Sequence, residues 1–540
     1  MNLRRWLWLI PAAAALAWSW TYASLAPEPF EWRAVWREPP LTFAWSRFID
    51  FSDRANEVVF RALHLGGLEL GLDPRALALL AWLLALGVVI GIGRACVQPM
   101  RMTAGAKLLV AAALFSPAFA ADWLLFARFR LFLPVACALL AILALRGSRA
   151  RGWRFAVAAA LCQIALFTHA TGNLLWLALA PLVALEAFAA HRSVLTPTAV
   201  WIVLGNLGLL VCRDGERVRP GLGGTLWTSP LSALQSLARV GGVALPDVLP
   251  GTTVDGIVLG ALLLVATLAC SLLAVQRRQR TEHVAEFASW LSIALVGIAI
   301  IVSMTHELIP IALADGLIKE MCWGATLLPI GLVGALFVLA PRRMARVAGP
   351  LLGVALLLLG QEYARGWRSL RLEHTLLRQG EALLAFADAA TNELPKAPSP
   401  PIRYKRERDA LRARGQLGAS IAKLSLDALT TGNPGGGTFA TLAPTIATGT
   451  IARRSSIDLV LLVRQLGTTP PWIFKIAAPD RFAATRDLPW TAALADVDRF
   501  AEGEVLRAFG YDCRAGRIHR LVGGFRFRAG RFVELPREQR

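Results

Sequence analysis

The sequence contains few charged residues: Asp, Glu, Lys and Arg together make up 17% of its 540 positions, whereas 56% are hydrophobic. A soluble globular domain carries about 25% charged residues. This shortage excludes a soluble enzyme, a disordered chain and a coiled coil, and it predicts a polytopic membrane protein. Lysine is the scarcer cation, with six residues among the 57 basic ones, so arginine supplies most of the net charge of +20.

The sequence also lacks the short motifs of nucleotide-dependent and metal-dependent enzymes. It has no P-loop, no GxSxG elbow and no GxGxxG, which argues against nucleotide-driven chemistry. The seven Cys residues form no CxxC pair, and no two His residues lie four positions apart. No transition-metal site is therefore predicted, and a need for a divalent cation stays open. The sequence has no basic patch interleaved with Trp and Tyr, so no nucleic-acid partner is predicted.

Long apolar runs dominate the first two thirds of the chain and predict about eleven transmembrane helices. The first run is interpreted as an anchoring helix rather than a cleaved signal peptide, because many further spans follow it. The predicted spans are 6–23, 76–93, 107–121, 131–147, 155–171, 173–190, 198–212, 256–275, 285–304, 323–341 and 347–361.

Basic residues concentrate in alternate loops, and this pattern predicts the orientation. Short cytoplasmic loops carry an excess of Lys and Arg. With the N-terminus in the cytoplasm, every inside loop contains at least one basic residue, and the long segments 24–75, 213–255 and 305–322 lie outside, together with the tail from 362. We therefore expect a multi-pass membrane protein with an extracytoplasmic C-terminal region.

The tail differs in composition from the spans. Residues 362–540 contain 28 Lys and Arg against 18 Asp and Glu. The predicted organisation is a membrane domain over 1–361, a helix and Pro-rich linker over 362–401, and a small mixed α/β extracytoplasmic domain over 402–540. The finer predictions are a helix over 365–390, a loop over 433–437, strands over 457–463 and 472–476, and a closing hairpin over 521–533.

The first outside loop, 24–75, contains the leading candidates for catalysis. Its segment 48–64 has apolar residues every three or four positions, which predicts an amphipathic helix at the membrane surface. Asp50, Asp53 and Glu57 share one face of that helix, and a carboxylate there can act as a general base. The alternative is a solvated helix, because Asp50 and Glu57 each have an Arg four residues later. Asp53 has no such partner and is the first candidate.

A second group of charges lies between two apolar spans at the outer boundary. Asp122, Arg128 and Arg130 fall within segment 115–134. Arg makes bidentate, charge-assisted contacts with phosphate, so the pair suits a lipid phosphate in the outer leaflet. The alternative is that both arginines reach lipid headgroups with Asp122 as a local counter-ion.

Three further candidates lie at the same predicted face. His169, within the break 167–173, is a candidate for binding a sugar hydroxyl or a phosphate. The alternative is that it only ends a helix before a Gly. His306 and Lys319 flank another outside opening and are candidate substrate contacts.

The layout of residues 1–390 resembles the GT-C superfamily, which comprises integral-membrane glycosyltransferases that use polyprenyl-phosphate-linked sugars. Three segments resemble recurrent features of one bacterial group. Asn56-Glu57 matches an Asn-Glu loop helix, 116–134 matches SPxxxENWLWGFQxQWFLP, and 167–172 matches a FANG break. The group has Asn where this chain has Asp122 and Thr171, and Gln where it has Arg128 and Arg130.

The resemblance implies an inverting sugar transfer from a polyprenyl-phosphate carrier to an extracytoplasmic acceptor, either a surface glycan, a lipid or a protein such as pilin. It implies that one carboxylate among Asp53, Glu57 and Asp50 is the base and that Arg128 and Arg130 bind the lipid phosphate. The tail would recognise the acceptor or bind a partner subunit. Two alternatives stay open, namely a non-catalytic scaffold of a cell-envelope assembly and a transporter of lipid-linked sugars.

Overall fold

The protein is represented by a computed structural model of the whole chain. It describes residues 6–22, 59, 74–95, 104–119, 123–124, 129–146, 152–169, 171–189, 193–212, 261–262, 265–267, 284–308, 323–385, 433–443, 446–468, 471–480, 485–493, 500–512 and 517–535. The chain divides into two compact units. One contains Arg75–Arg371 with two N-terminal segments, and the other contains Leu372–Arg540 with two short segments.

The first unit is helical. Its helices are α1 Leu9–Tyr22, α2 Pro74–Ala95, α3 Ala104–Leu114, α4 Phe129–Leu145, α5 Gly152–Leu166, α6 Thr171–Ala189, α7 Leu195–Cys212, α8 Val284–Leu308, α9 Leu327–Leu339 and α10 Pro341–Ala385, with 3₁₀ turns at Pro117–Phe119 and Trp323–Thr326. Each predicted apolar run except 256–275 overlaps one of these helices, and most of 256–275 lies outside the described residues. The prediction of a helix-rich architecture is confirmed.

Three helices within the described part of the chain are long and apolar enough to cross a membrane. Their apolar stretches are Thr171–Phe188, Glu286–Ser303 and Pro341–Arg371. Six further helices in the same described residues contain shorter apolar stretches of 10–17 residues. The chain is therefore compatible with membrane association, whereas the total of about eleven spans stays a prediction.

Helices α8 and α9 pack closely because small residues line their contact. A side chain on Gly331 would meet the backbone of Trp290 and Ala294, and one on Gly334 would meet the indole of Trp290. A side chain on Gly297 of α8 would likewise meet the backbone of Leu328. Small residues that let two backbones approach are typical of helix pairs in membranes, where van der Waals contact replaces the hydrophobic effect.

Helix α10 begins with three arginines, Arg342, Arg343 and Arg346, and the rest of its first half, 347–360, is apolar all round and largely exposed. None of its apolar window is buried in the structure, and Leu357 is 73% exposed. Because an apolar helix without a polar face is stable only when an apolar solvent surrounds it, this half suits a bilayer. The helix predicted over 365–390 is not separate: α10 runs through to Ala385 as one 45-residue helix.

The second unit contains a nine-stranded sheet. Its strands are β1 Asn433–Ala443, β2 Ile446–Ala452, β3 Leu459–Gln465, β4 Trp472–Ala477, β5 Asp487–Ala493, β6 Val505–Asp512, β7 Arg517–Val522, β8 Phe525–Arg528 and β9 Arg531–Glu534. Seven strands follow the order β4-β3-β6-β7-β1-β2-β5, and β8 extends from β6 to β9. A single bridge between Pro479, just after β4, and Trp490 on β5 brings the two ends of this path together.

The structure confirms three local predictions and corrects one. Strands β3 and β4 match the predicted strands, and β8 and β9 form the closing hairpin. Segment 433–437 is not a loop, because it begins β1, which pairs in parallel with β7. The glycines there form a bulge rather than a turn: the register shifts between Pro434 and Thr438, and Gly436 has a φ of 83°.

One buried ion pair lies against the apolar interior of this sheet. Arg464 is 3% exposed and Glu504 2%, and two nitrogen atoms of Arg464 donate to the carboxylate of Glu504 at 2.8 and 2.7 Å. The guanidinium lies 3.9 Å from the ring centroid of Phe500, and Glu504 also accepts the amide hydrogen of Ala501. Each charged group therefore has a second favourable contact besides its ion-pair partner: the guanidinium lies over an aromatic ring, and the carboxylate accepts a backbone amide hydrogen.

Breaking this pair is expected to cost more than removing both of its members. Glu504→Leu should lower the free energy of unfolding of the β unit by about 3–5 kcal/mol, because Arg464 stays buried and uncompensated. The double variant Arg464→Met with Glu504→Leu should recover a large part of that loss. Chemical denaturation followed by Trp fluorescence measures both. A double variant less stable than Glu504→Leu alone would contradict the account.

Candidate functional site

The carboxyl end of α3 is closed by side chains from three other parts of the first unit. The last carbonyls of a helix have no partner within the helix. Trp323 Nε1 donates to the carbonyl of Leu114 at 2.6 Å, and Tyr363 Oη donates to that of Ala112 at 3.0 Å. Trp123 Nε1 donates to the carbonyl of Ser116 at 3.0 Å. Indole and phenol groups therefore donate the hydrogen bonds that water would give to these carbonyls in a solvated helix.

The described residues of the segment that resembles SPxxxENWLWGF, 116–119 and 123–124, lie at this helix end. The rings of Phe115 and Trp123 stack with centroids 5.5 Å apart, and Phe132 lies 4.3 Å from Trp323. Ser116 Oγ accepts the amide hydrogen of Ala118. Ser116 and Trp123 thus have structural roles that shape the segment in which Asp122 occurs.

Helix α10 packs directly on the same turn. A side chain at Gly366 would meet the backbone of Pro117 and Ala118. Next to this contact, Glu362 is 6% exposed although it is a carboxylate. The turn after α3 therefore lies between the aromatic cluster and a helix that carries a buried acidic residue.

A sharp break joins α5 to α6. The amide of Thr168 donates to the carbonyl of Ala165 at 3.1 Å, which tightens the last turn of α5, and Gly172 donates to the carbonyl of His169 at 2.9 Å. A side chain at Gly172 would meet the backbone of Ala165 and Leu166. The glycine at this position lets the start of α6 lie directly against the end of α5.

Three polar side chains form a buried network at this break. Thr171 Oγ1 lies 2.8 Å from His169 Nδ1 and 3.1 Å from Ser303 Oγ on α8. The exposed fractions of His169, Thr171 and Ser303 are 4%, 3% and 5%. The amide of Thr171 donates to His169 Nδ1 at 3.2 Å. Because an amide can only donate, this pattern assigns Nδ1 as the acceptor and places the hydrogen of a neutral ring on Nε2.

Val59, in the segment between α1 and α2, contacts the same break. The amide of Val59 donates to the carbonyl of Phe167 at 2.9 Å. Val59 follows Glu57 by two residues in the sequence, and Phe167 precedes His169 by two. One backbone hydrogen bond thus links the segment with the predicted carboxylates to the segment with the buried histidine.

The predicted site residues fall into three groups. His169 is described fully, and the network connects it to α8, whose last turn contains His306. Arg130 is the second residue of α4. For Arg130 and His306 only the backbone is described. The remaining predicted residues lie outside the described part of the chain, and they are Asp50, Asp53, Glu57, Asp122, Arg128 and Lys319.

Sequence reasoning missed several residues of this region. Ser303 and Tyr363 were not singled out, although each is a polar residue at the end of an apolar run. Thr171 was noted only as a departure from the family pattern, yet it connects α6 to α8. Among the described residues, no group of three or more His, Cys, Asp or Glu could hold a metal ion.

No family model, no curated protein and no solved structure matches the chain.

Removing the indole hydrogen of Trp323 tests the capping account. Trp323→Phe should lower the free energy of unfolding by about 1–3 kcal/mol, because the carbonyl of Leu114 loses its donor in a buried place. The matched control is Trp153→Phe, since the indole of Trp153 is 62% exposed. Thermal unfolding in detergent followed by light scattering compares the two. Equal melting temperatures for both variants would contradict a capping role.

Proposed function

We propose that the chain is a membrane glycosyltransferase that moves a sugar from a polyprenyl-phosphate carrier to an extracytoplasmic acceptor. The observation that carries the proposal is the hydrogen bond from Val59 to Phe167. It links two of the three segments on which the resemblance to GT-C enzymes rests, although 107 positions separate the two residues. A loop segment with carboxylates at a break between two apolar helices suits a reaction at the membrane boundary.

The apolar helices and their aromatic ends support a membrane setting. Trp367 on α10 makes edge-to-face contacts with Trp18 and Tyr22 on α1, at centroid distances of 6.3 and 6.2 Å, and Arg371 lies over its ring. Trp, Tyr and Arg concentrate where a helix leaves the hydrocarbon region. We assign this end to the outer face of a bacterial inner membrane, with about eleven spans and the β unit in the periplasm.

The proposed reaction is a single displacement with inversion. An acceptor hydroxyl forms a bond to the anomeric carbon while the bond from that carbon to the phosphate oxygen breaks. The hydroxyl proton passes to Asp53, with Glu57 and Asp50 as the next candidates. The leaving lipid phosphate keeps the electron pair and gains charge, so Arg128 and Arg130 would stabilise the transition state more than the ground state.

The buried network supports the proposal because it holds the helices next to this break in one arrangement. His169, Thr171 and Ser303 connect α5, α6 and α8 through short polar contacts inside apolar helices. A polar network that is satisfied in a low-dielectric place holds its members in one geometry. In this role His169 is a positioning residue, and Asp122, His306 and Lys319 remain candidate substrate contacts.

Loss of the base should stop consumption of the donor. In a host strain that lacks the chain, the polyprenyl-phosphate-linked sugar should accumulate, and the wild-type chain should restore its normal level. Asp53→Asn and Glu57→Gln are each tested for this restoration. The variant that lacks the catalytic base should transfer the sugar about 10²–10⁴ times more slowly and so fail to restore the donor level. Mass spectrometry of lipid extracts measures the donor.

The control is Asp487→Asn, which neutralises an exposed carboxylate at the start of β5. It should restore the donor level fully. If Asp50→Asn, Asp53→Asn and Glu57→Gln restore it as well as the wild type does, the carboxylates are not catalytic, and the non-catalytic scaffold becomes the better account. If the donor does not accumulate in the deletion strain, the transferase proposal itself fails.

A further inference from the structure

A group of arginines shares one face of the sheet in the β unit. Phe509 on β6 pairs with Arg520 on β7, and Val505 on β6 pairs with Arg526 on β8. Directly opposed residues lie on the same face, and so do alternate residues of one strand. Arg507, which lies between Val505 and Phe509, therefore shares a face with Arg520 and Arg526.

This face lies opposite the apolar interior of the sheet. Arg507, Arg520 and Arg526 on it are half-buried, and Phe509 further along the same face is buried. The residues that alternate with Arg507 on β6, Leu506 and Ala508, belong to the apolar interior of the sheet. Partial burial of Arg507, and then the charges of Arg520 and Arg526, lower the pKa of its guanidinium below the usual value. The three cations are thus close enough to disfavour one another.

The hairpin β8–β9 extends this face into solvent. Arg528 pairs with Arg531 across a two-residue turn, and both side chains are exposed. The described outward positions of β6 to β9 include no acidic residue. Glu502, in the loop before β6, accepts the amide hydrogen of Ala529 at 3.0 Å.

Two exposed apolar residues accompany the arginines. Val533 pairs with Arg526 and is 46% exposed, and Val522, two residues after Arg520, is 48% exposed. No aromatic side chain is exposed among the described outward positions of these strands, so a sugar-stacking platform is not indicated there. Cations together with exposed aliphatic groups are the combination that binds an anionic bilayer surface.

We propose that this arginine face, formed by Arg507, Arg520, Arg526, Arg528 and Arg531, binds the anionic headgroups of the membrane that holds the helical unit. The occupant is a bilayer rich in phosphatidylglycerol-type lipid. The proposal depends on the membrane placement of α10 but not on sugar transfer. Binding would hold the β unit at the bilayer surface, where a lipid-linked substrate also lies.

Hydrogen–deuterium exchange of the full chain in nanodiscs tests the proposal. In discs with 30 mol% phosphatidylglycerol, strands β7 to β9 should exchange more slowly than in neutral phosphatidylcholine discs, by about tenfold or more. High salt should remove the difference, because exposed charges are screened. Exchange in β3, which lies in the interior of the sheet, reports that each variant is folded.

The test variant replaces Arg520, Arg528 and Arg531 with Gln. It should lose the protection in anionic discs. The control replaces the three exposed arginines Arg453, Arg454 and Arg486 with Gln, which removes the same charge elsewhere on the β unit. It should keep the protection.

Three results would overturn the proposal. The first is equal exchange of β7 to β9 in anionic and neutral discs. The second is equal loss of protection in both triple variants. The third is that soluble polyphosphate protects β7 to β9 in neutral discs whereas anionic discs do not protect them. The last result would instead indicate a soluble polyanion as the partner. Failure of the chain to remain in nanodiscs during gel filtration would contradict the membrane placement, and so is distinguishable from failure of this face to bind.

Discussion

The need to satisfy backbone carbonyls away from water is the constraint on which the arrangement of the helical unit depends. Helix α3 ends inside an apolar cluster, so its last carbonyls need donors from elsewhere. Trp323 and Tyr363 supply them from distant parts of the chain, and Trp123 closes the following turn. These hydrogen bonds fix the turn of Pro117–Phe119 against α10. They also explain why bulky aromatics with a polar atom, rather than Phe or Leu, occupy these three positions.

The same constraint shapes the break between α5 and α6. There the chain leaves one helix and enters another at buried residues. The ring of His169 accepts the amide hydrogen of Thr171 and contacts its hydroxyl, so these polar groups have local partners. The carbonyl of Phe167 is left for a donor from outside, and the amide of Val59 provides it. This hydrogen bond thus joins Val59, in the segment between α1 and α2, to the break. The proposed chemistry depends on this junction, because the candidate base and the buried network belong to its two sides.

Part of the fold could be predicted from the sequence because its signals are local. Hydrophobic runs gave the helices, β-branched residues gave β3, and the Ala529-Gly530 turn closed the last hairpin. The bulge at Gly436 could not be predicted, since a Gly-rich segment is typical of a loop unless a partner strand is known. The contact of Thr171 with Ser303 joins residues 132 positions apart, and no local pattern specifies it. The full extent of the long helix α10 could not be predicted, because the change from an apolar to an amphipathic stretch near Glu362 is typical of the end of one helix and the start of another.

We propose that this chain binds a lipid-linked sugar phosphate at its outer boundary. Native mass spectrometry of the protein extracted from its host in mild detergent tests it most directly. The account predicts a bound species with the mass of a polyprenyl phosphate, with or without one sugar. This species should be lost when Arg128 and Arg130 are replaced by Ala, and kept when Arg454 and Arg486 are. Ordinary phospholipids as the only bound species, in the wild type and in both variants, would contradict it.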